Sequence, residues 1–164
     1  MSDVGTLIAT LGPGLAEGLA AVGTTLGICR ATASGIPTLA EEPGMRSKVF
    51  TLAFLPMTQT LVYGFTYMFI SYLLVLPQVL SRHNNVVPPH IAGALFGISL
   101  FVGLAELVSA DRQGAVCGQA AAQLIKTRGG IFGSGMILAI YEELFGVLGM
   151  VFGIVISLMV AAWT

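Results

Sequence analysis

Charge is what this sequence is short of. Of its 164 residues, 7 are lysine or arginine and 8 are aspartate or glutamate, a charged fraction of 9%; a soluble globular domain carries about 25%. That deficit, with 55% hydrophobic residues, excludes an ordinary water-soluble enzyme, and the net charge of −1 gives no reason to expect a nucleic-acid partner. Cysteine is scarce too. Cys29 and Cys117 lie in small-residue stretches without a second cysteine or histidine at ligand spacing, so both are expected to pack rather than bind metal. His83 and His90 fall in or beside SRHNNVVPPH and are expected in a solvated loop. No phosphate-binding GxxxxGK[ST] loop occurs, which argues against nucleotide hydrolysis by this chain. The opening MSDVGTLIATLGPG lacks the basic region and small-residue cleavage site of a signal peptide, so the first apolar run is expected to stay in the mature protein.

Long hydrophobic runs are what the chain has in excess. Four of them, at about 4–40, 49–80, 88–125 and 131–163, exceed the roughly 20 residues needed to cross a ~30 Å hydrocarbon core. Lipid offers no hydrogen-bond partners, and the runs lack the period-2 alternation of barrel strands, so each is expected to be a helix. The fold class expected is an all-α membrane protein of four transmembrane helices. At 1.5 Å per residue each run is about 45 Å long, so helix ends should project beyond the hydrocarbon or the helices should tilt. Arg30, Arg46 and Lys48 flank the first connection and Arg112, Lys126 and Arg128 the third, while the second holds Arg82. By the positive-inside rule the first and third connections face the cytoplasm and both termini lie on the other side.

The runs group into two hairpins, residues 1–83 and 84–164. Laying GLAAVGTTLGICRATASG (18–35) over GLAELVSADRQGAVCGQA (103–120) pairs Gly18 with Gly103, Leu19 with Leu104, Ala20 with Ala105 and Thr24 with Ser109. The same offset of 85 pairs Gly64 with Gly149. A duplicated hairpin follows from this alignment. Small residues four apart, such as Gly23/Gly27 and Gly114/Gly118, let helix backbones approach closely. Their density in the first and third helices suggests the crowded inner wall of a ring.

Within the most apolar run, YEELFGVLGM (141–150) places two carboxylates, Glu142 and Glu143. A carboxylate at the bilayer centre costs about 2.5–3.5 kcal/mol even on the lenient insertion scale, so it needs a partner or a pathway. Spans two and four contain no lysine, arginine or histidine, so the neutralising species is expected to be a proton or a bound cation. Depth can be counted from the turns: Gln113 stands fifteen residues before Arg128 and Glu143 fifteen after, which makes them level. Counting about Pro43-Gly44 brings Gln59 to nearly the same depth, about 22 Å from the turns at 1.5 Å per residue. A hard monovalent cation takes oxygen ligands, and Glu143, the amides of Gln59 and Gln113 and the Thr58 hydroxyl supply four. Pro56 opens the backbone there, leaving the Leu55 carbonyl as a fifth, while Tyr63 is placed to donate a hydrogen bond to the carboxylate. Glu106, two turns before Gln113 on the same face, is expected to be protonated or pore-facing rather than a carrier. Asp111 and Arg112 are expected at headgroup level and Glu17 in solvent.

LPMTQTLVYGF (55–65), VSADRQGAV (108–116) and EELFGVLG (142–149) resemble the proteolipid, or rotor-ring c/K, subunit of V-type and archaeal-type rotary ATPases, along essentially the whole chain. Pro56, Thr58-Gln59, Gln113 and Glu143 together resemble its sodium-type bacterial branch. The resemblance implies a ring of identical copies in a bacterial or archaeal cell membrane, carrying Na+ (or H+) on Glu143 past a stator subunit with an arginine. Central-stalk subunits would bind on the cytoplasmic side, lipid would surround the ring, and ATP hydrolysis would belong to other subunits. Two features depart from the pattern. The branch places its tyrosine three residues after the glutamine, where this chain has Val62, and Glu142 takes a position usually apolar. Adjacent helical residues point about 100° apart, so one glutamate faces the site. A stripe with Gly135, Gly146, Gly149 and Gly153 favours Glu142 on spacing, whereas the family register selects Glu143. The rival class is a four-helix small transporter or channel acting alone.

Overall fold

The computed structural model describes residues 4–163. Its helices are α1 (Val4–Glu41), α2 (Pro43–Arg82), α3 (Pro89–Ala122) and α4 (Phe132–Ala161), all four long and apolar enough to cross a membrane. The α2 start falls earlier than hydropathy alone suggests, because Pro43–Met45 forms a 3-10 turn that runs straight into the helix.

Each connection has a local cause. Between α1 and α2, the Glu42 amide donates to the Thr38 carbonyl at 2.9 Å and the Gly44 amide to Glu42 Oε1 at 3.3 Å. Between α3 and α4, Arg128 (φ 52°) and Gly129 (φ 81°) reverse the chain in left-handed conformations, which glycine adopts freely. The Gly129 amide then closes on the Leu124 carbonyl at 2.7 Å. Lys48 Nζ donates to the Gly129 carbonyl at 3.4 Å, tying these two connections together at one end of the molecule. At the other end Asn84 (φ 54°) and Asn85 (φ 63°) turn the chain, and Pro89 opens α3 at the position where a missing N–H costs nothing. His83 is only partly solvated: its Nε2 lies 3.3 Å from the Trp163 carbonyl, beside Arg82 Nη1, which donates to the Ala162 carbonyl at 3.1 Å. His90 is exposed, as expected.

The α1 and α3 helices run parallel and side by side, with Gly12 against Ser99, Ala16 against Gly103, Gly27 against Gly114 and Arg30 against Gly118. At the Gly27–Gly114 crossing the two backbones meet directly, so a Cβ on Gly114 would strike the Gly27 main chain. This is the close approach that small residues permit between membrane helices. The second helix packs on both α1 and α3, and α4 packs on α3 and α2.

Contacts recur at the offset seen in the sequence. Gly64 faces Ala20 Cβ and Gly149 faces Ala105 Cβ, two pairs related residue for residue across the hairpins. Thr24 Oγ1 donates to the Pro56 carbonyl at 3.0 Å, and Ser109 Oγ donates to the Glu142 carbonyl at 2.5 Å. Large apolar side chains such as Leu61, Phe65, Phe69, Leu73, Phe145 and Phe152 point outward from α2 and α4. Of the cysteines, Cys117 packs in the interior while Cys29 is exposed on this chain's surface, so packing within the chain accounts for one and not the other.

Candidate functional site

The site begins with a break in α2. Pro56 has no N–H and clashes with a regular α turn, and Leu55–Met57 accordingly forms a 3-10 turn. The polar groups this disturbs are re-engaged locally: Thr58 Oγ1 donates to the Leu55 carbonyl at 2.8 Å. Thr24 Oγ1, which caps the Pro56 carbonyl, also meets Thr60 Oγ1 at 2.6 Å. Directly afterwards Gln59–Gly64 forms a π-helix.

That π segment explains the displaced tyrosine. A π turn holds one residue more than an α turn, so the fourth residue after Gln59 swings round towards where a third would point. Val62 is left exposed, and Tyr63 turns inward and donates from its hydroxyl to Glu143 Oε1 at 2.8 Å. From α3, Gln113 Nε2 donates to Glu143 Oε2 at 3.3 Å. Both carboxylate oxygens are therefore held, one from each neighbouring helix. Gln113 is fully buried and its Oε1 has no partner. For Glu142, by contrast, it is the main-chain carbonyl that Ser109 reaches.

Not every expected ligand converges. Tyr63, Gln113 and Glu143 are brought together, and Thr58 and the Leu55 carbonyl bond to each other close by on α2. Gln59 is buried but turned away: its Nε2 donates to Ser109 Oγ at 3.0 Å, and its Oε1 points to Gly146, where the missing side chain leaves room. Ser109 was not picked out as a site residue from sequence; it lies one turn before Gln113 on the same face of α3, and that spacing was the available signal.

Two acidic residues are more enclosed than the sequence suggests. Glu17 is not simply solvated, since its Oε2 is buried against Gly64. Asp111 is buried against α1. Arg30 Nε from α1 stands 2.8 Å from its Oδ1, an ion pair by distance although the N–H is not aligned for a hydrogen bond. Arg112 Nε is at 3.8 Å from the other oxygen. The parallel α1–α3 register that brings Gly27 to Gly114 also brings Arg30 to Asp111.

Comparison with known proteins bears on what such a layer is for. Residues 11–71, covering most of α1 and α2, match the ATP synthase C-subunit family. The chain is also 31% identical over 150 residues, 92% of its length, to the A-type ATP synthase subunit K of Methanocaldococcus jannaschii. It spans 61% of that relative's length. The stretch after Pro56 that carries Gln59 and Tyr63 lies inside the matched region, whereas Gln113 and Glu143 lie in the second hairpin, outside it.

Proposed function

We propose that this chain is the ion-carrying ring subunit of an A/V-type ATP synthase, a membrane subunit with no chemical step of its own. Glu143 is the carrier. The observation that carries this reading is a carboxylate on a membrane-spanning helix with each oxygen hydrogen-bonded from a different neighbouring helix, in spans two and four that contain no intramembrane base. Such a group is neutral only with a cation or proton bound, and its cost when empty, about 2.5–3.5 kcal/mol, is what makes loading a condition for facing lipid. A stationary partner with an arginine would discharge it, central-stalk subunits would turn the ring from the cytoplasmic side, and α1 and α3 would line its inner wall.

The ion is sodium in this reading, with a proton as the alternative cargo. Sodium is supported by oxygen supply: the orphan Oε1 of Gln113, the Thr58 hydroxyl, the Leu55 carbonyl and Glu143 itself, with Gln59 engaged elsewhere. A buried acceptor left unpaired costs about 1–3 kcal/mol, which a bound cation would remove. Millimolar sodium is expected to slow carbodiimide labelling of Glu143 at fixed pH. Tyr63→Phe should raise the sodium concentration needed for that protection about tenfold, because a hydrogen bond to a charged group contributes about 1.5–3 kcal/mol. Labelling that follows pH alone would make the cargo a proton.

A further inference from the structure

Toward the non-cytoplasmic side of Glu143, roughly one helical turn along α4, lies a second set of buried oxygens. Glu106 on α3 and Gln59 on α2 are both 0% exposed. Both carboxylate oxygens of Glu106, Oε1 of Gln59 and Oε2 of Glu17 are buried without a hydrogen-bond partner. Gln59 Oε1 and Glu106 Oε2 both crowd the spot that a Cβ on Gly146 would occupy, so the two oxygens are neighbours. Glu17 Oε2 fills the equivalent spot at Gly64, and Glu17 follows Ala16, which packs on Gly103 one turn before Glu106. Two glycines thus leave a cradle for three polar side chains from three helices.

Among the described residues no base answers these acids. On α2 and α4 the ionisable residues within about a turn of Gln59 and Gly146 are Tyr63, Glu142 and Glu143, none of them a base. On α3 itself Asp111 is taken by Arg30, the nearest basic residue on α1. The Gln59 amide nitrogen donates to Ser109 Oγ, and it is the amide oxygen that stands at Gly146 beside Glu106. Among the described residues none of these four buried acceptor oxygens meets a donor.

We propose that Glu17, Glu106 and Gln59 form a second proton-binding site, in which the Glu106 carboxyl donates to the Gln59 amide oxygen and Glu17 donates to the remaining Glu106 oxygen. Two protons supply one donor for each acceptor pair and leave no net charge in the hydrocarbon, and a proton needs no cavity. This goes beyond the carrier role of Glu143 and holds whether that residue carries sodium or a proton. The site fixes Gln59 in the orientation that gives its nitrogen to Ser109.

Infrared spectroscopy of the detergent-extracted protein carrying Glu142→Gln and Glu143→Gln tests it, since protonated carboxyls and carboxylates absorb in separate carbonyl bands. At neutral pH a protonated-carboxyl band is expected with or without sodium, and adding Glu106→Gln or Glu17→Gln should each remove about half of it, one acid of two. Glu106→Gln, which keeps the size of the neutral acid and a donor for Gln59, should leave assembly intact. If the doubly substituted background does not assemble, the difference spectrum between wild type and Glu106→Gln reads the same group. A difference confined to the carboxylate region overturns the proposal, as does a protonated band that vanishes on adding sodium, which would mean that a metal cation fills the cradle.

Discussion

Glu143→Gln is expected to abolish ion-coupled ATP turnover and carbodiimide modification while the protein still inserts and assembles. Glutamine has the size of the neutral carboxyl and can keep the contacts with Tyr63 and Gln113, but it carries no charge for a cation to neutralise or a stator to displace. Glu142→Gln should be far milder, because the interhelical bond at that residue is made by its main chain. ATPase and transport assays on the reconstituted complex distinguish the two. Loss of transport in Glu142→Gln with tolerance of Glu143→Gln would place the carrier one residue earlier, on the stripe with Gly146, Gly149 and Gly153.

The second large effect belongs to the α1–α3 crossing. A Cβ on Gly114 would overlap the Gly27 backbone, and a main chain, unlike a flexible side-chain tip, cannot step aside without parting the helices. Gly114→Leu is therefore expected to exceed the about 1–3 kcal/mol usual for overpacking and to abolish recovery of folded protein. The contrast is Gly97→Ala, where nothing lies within 4 Å of the added carbon and yield should be near wild type. Thermal unfolding and extraction yield measure both. Normal recovery of Gly114→Leu would mean that the two helices do not meet there.

What was legible beforehand followed from local rules. Counting residues from the turn levelled Gln113 with Glu143 because two antiparallel helices of equal rise must keep step, and their hydrogen bond follows. Hydropathy located the four spans because lipid leaves a backbone no alternative to the helix. The rest depended on how helices meet. The bond expected from Tyr63 to the carboxylate is made, but the means by which it bridges the one-residue shift, the π segment Gln59–Gly64, is not visible when counting in α-helical steps. The orientation of Gln59 is decided by Ser109 and by the gap at Gly146, which lie 50 and 87 positions further along the chain. Glu17 and Asp111 looked peripheral because distance along a helix gives depth but not facing; their burial comes from the parallel α1–α3 register and from Gly64.

Assembly bears most directly on the role of Glu143. A carrier that must pass a stator on every turn has to sit in a closed ring, and a four-helix transporter acting alone does not. Native mass measurement of the detergent-extracted wild-type protein is expected to give one dominant closed oligomer, an integer multiple of the 17.1 kDa chain well above a dimer. A monomer or dimer under conditions that keep the protein folded would contradict the ring, and with it the role assigned to Glu143.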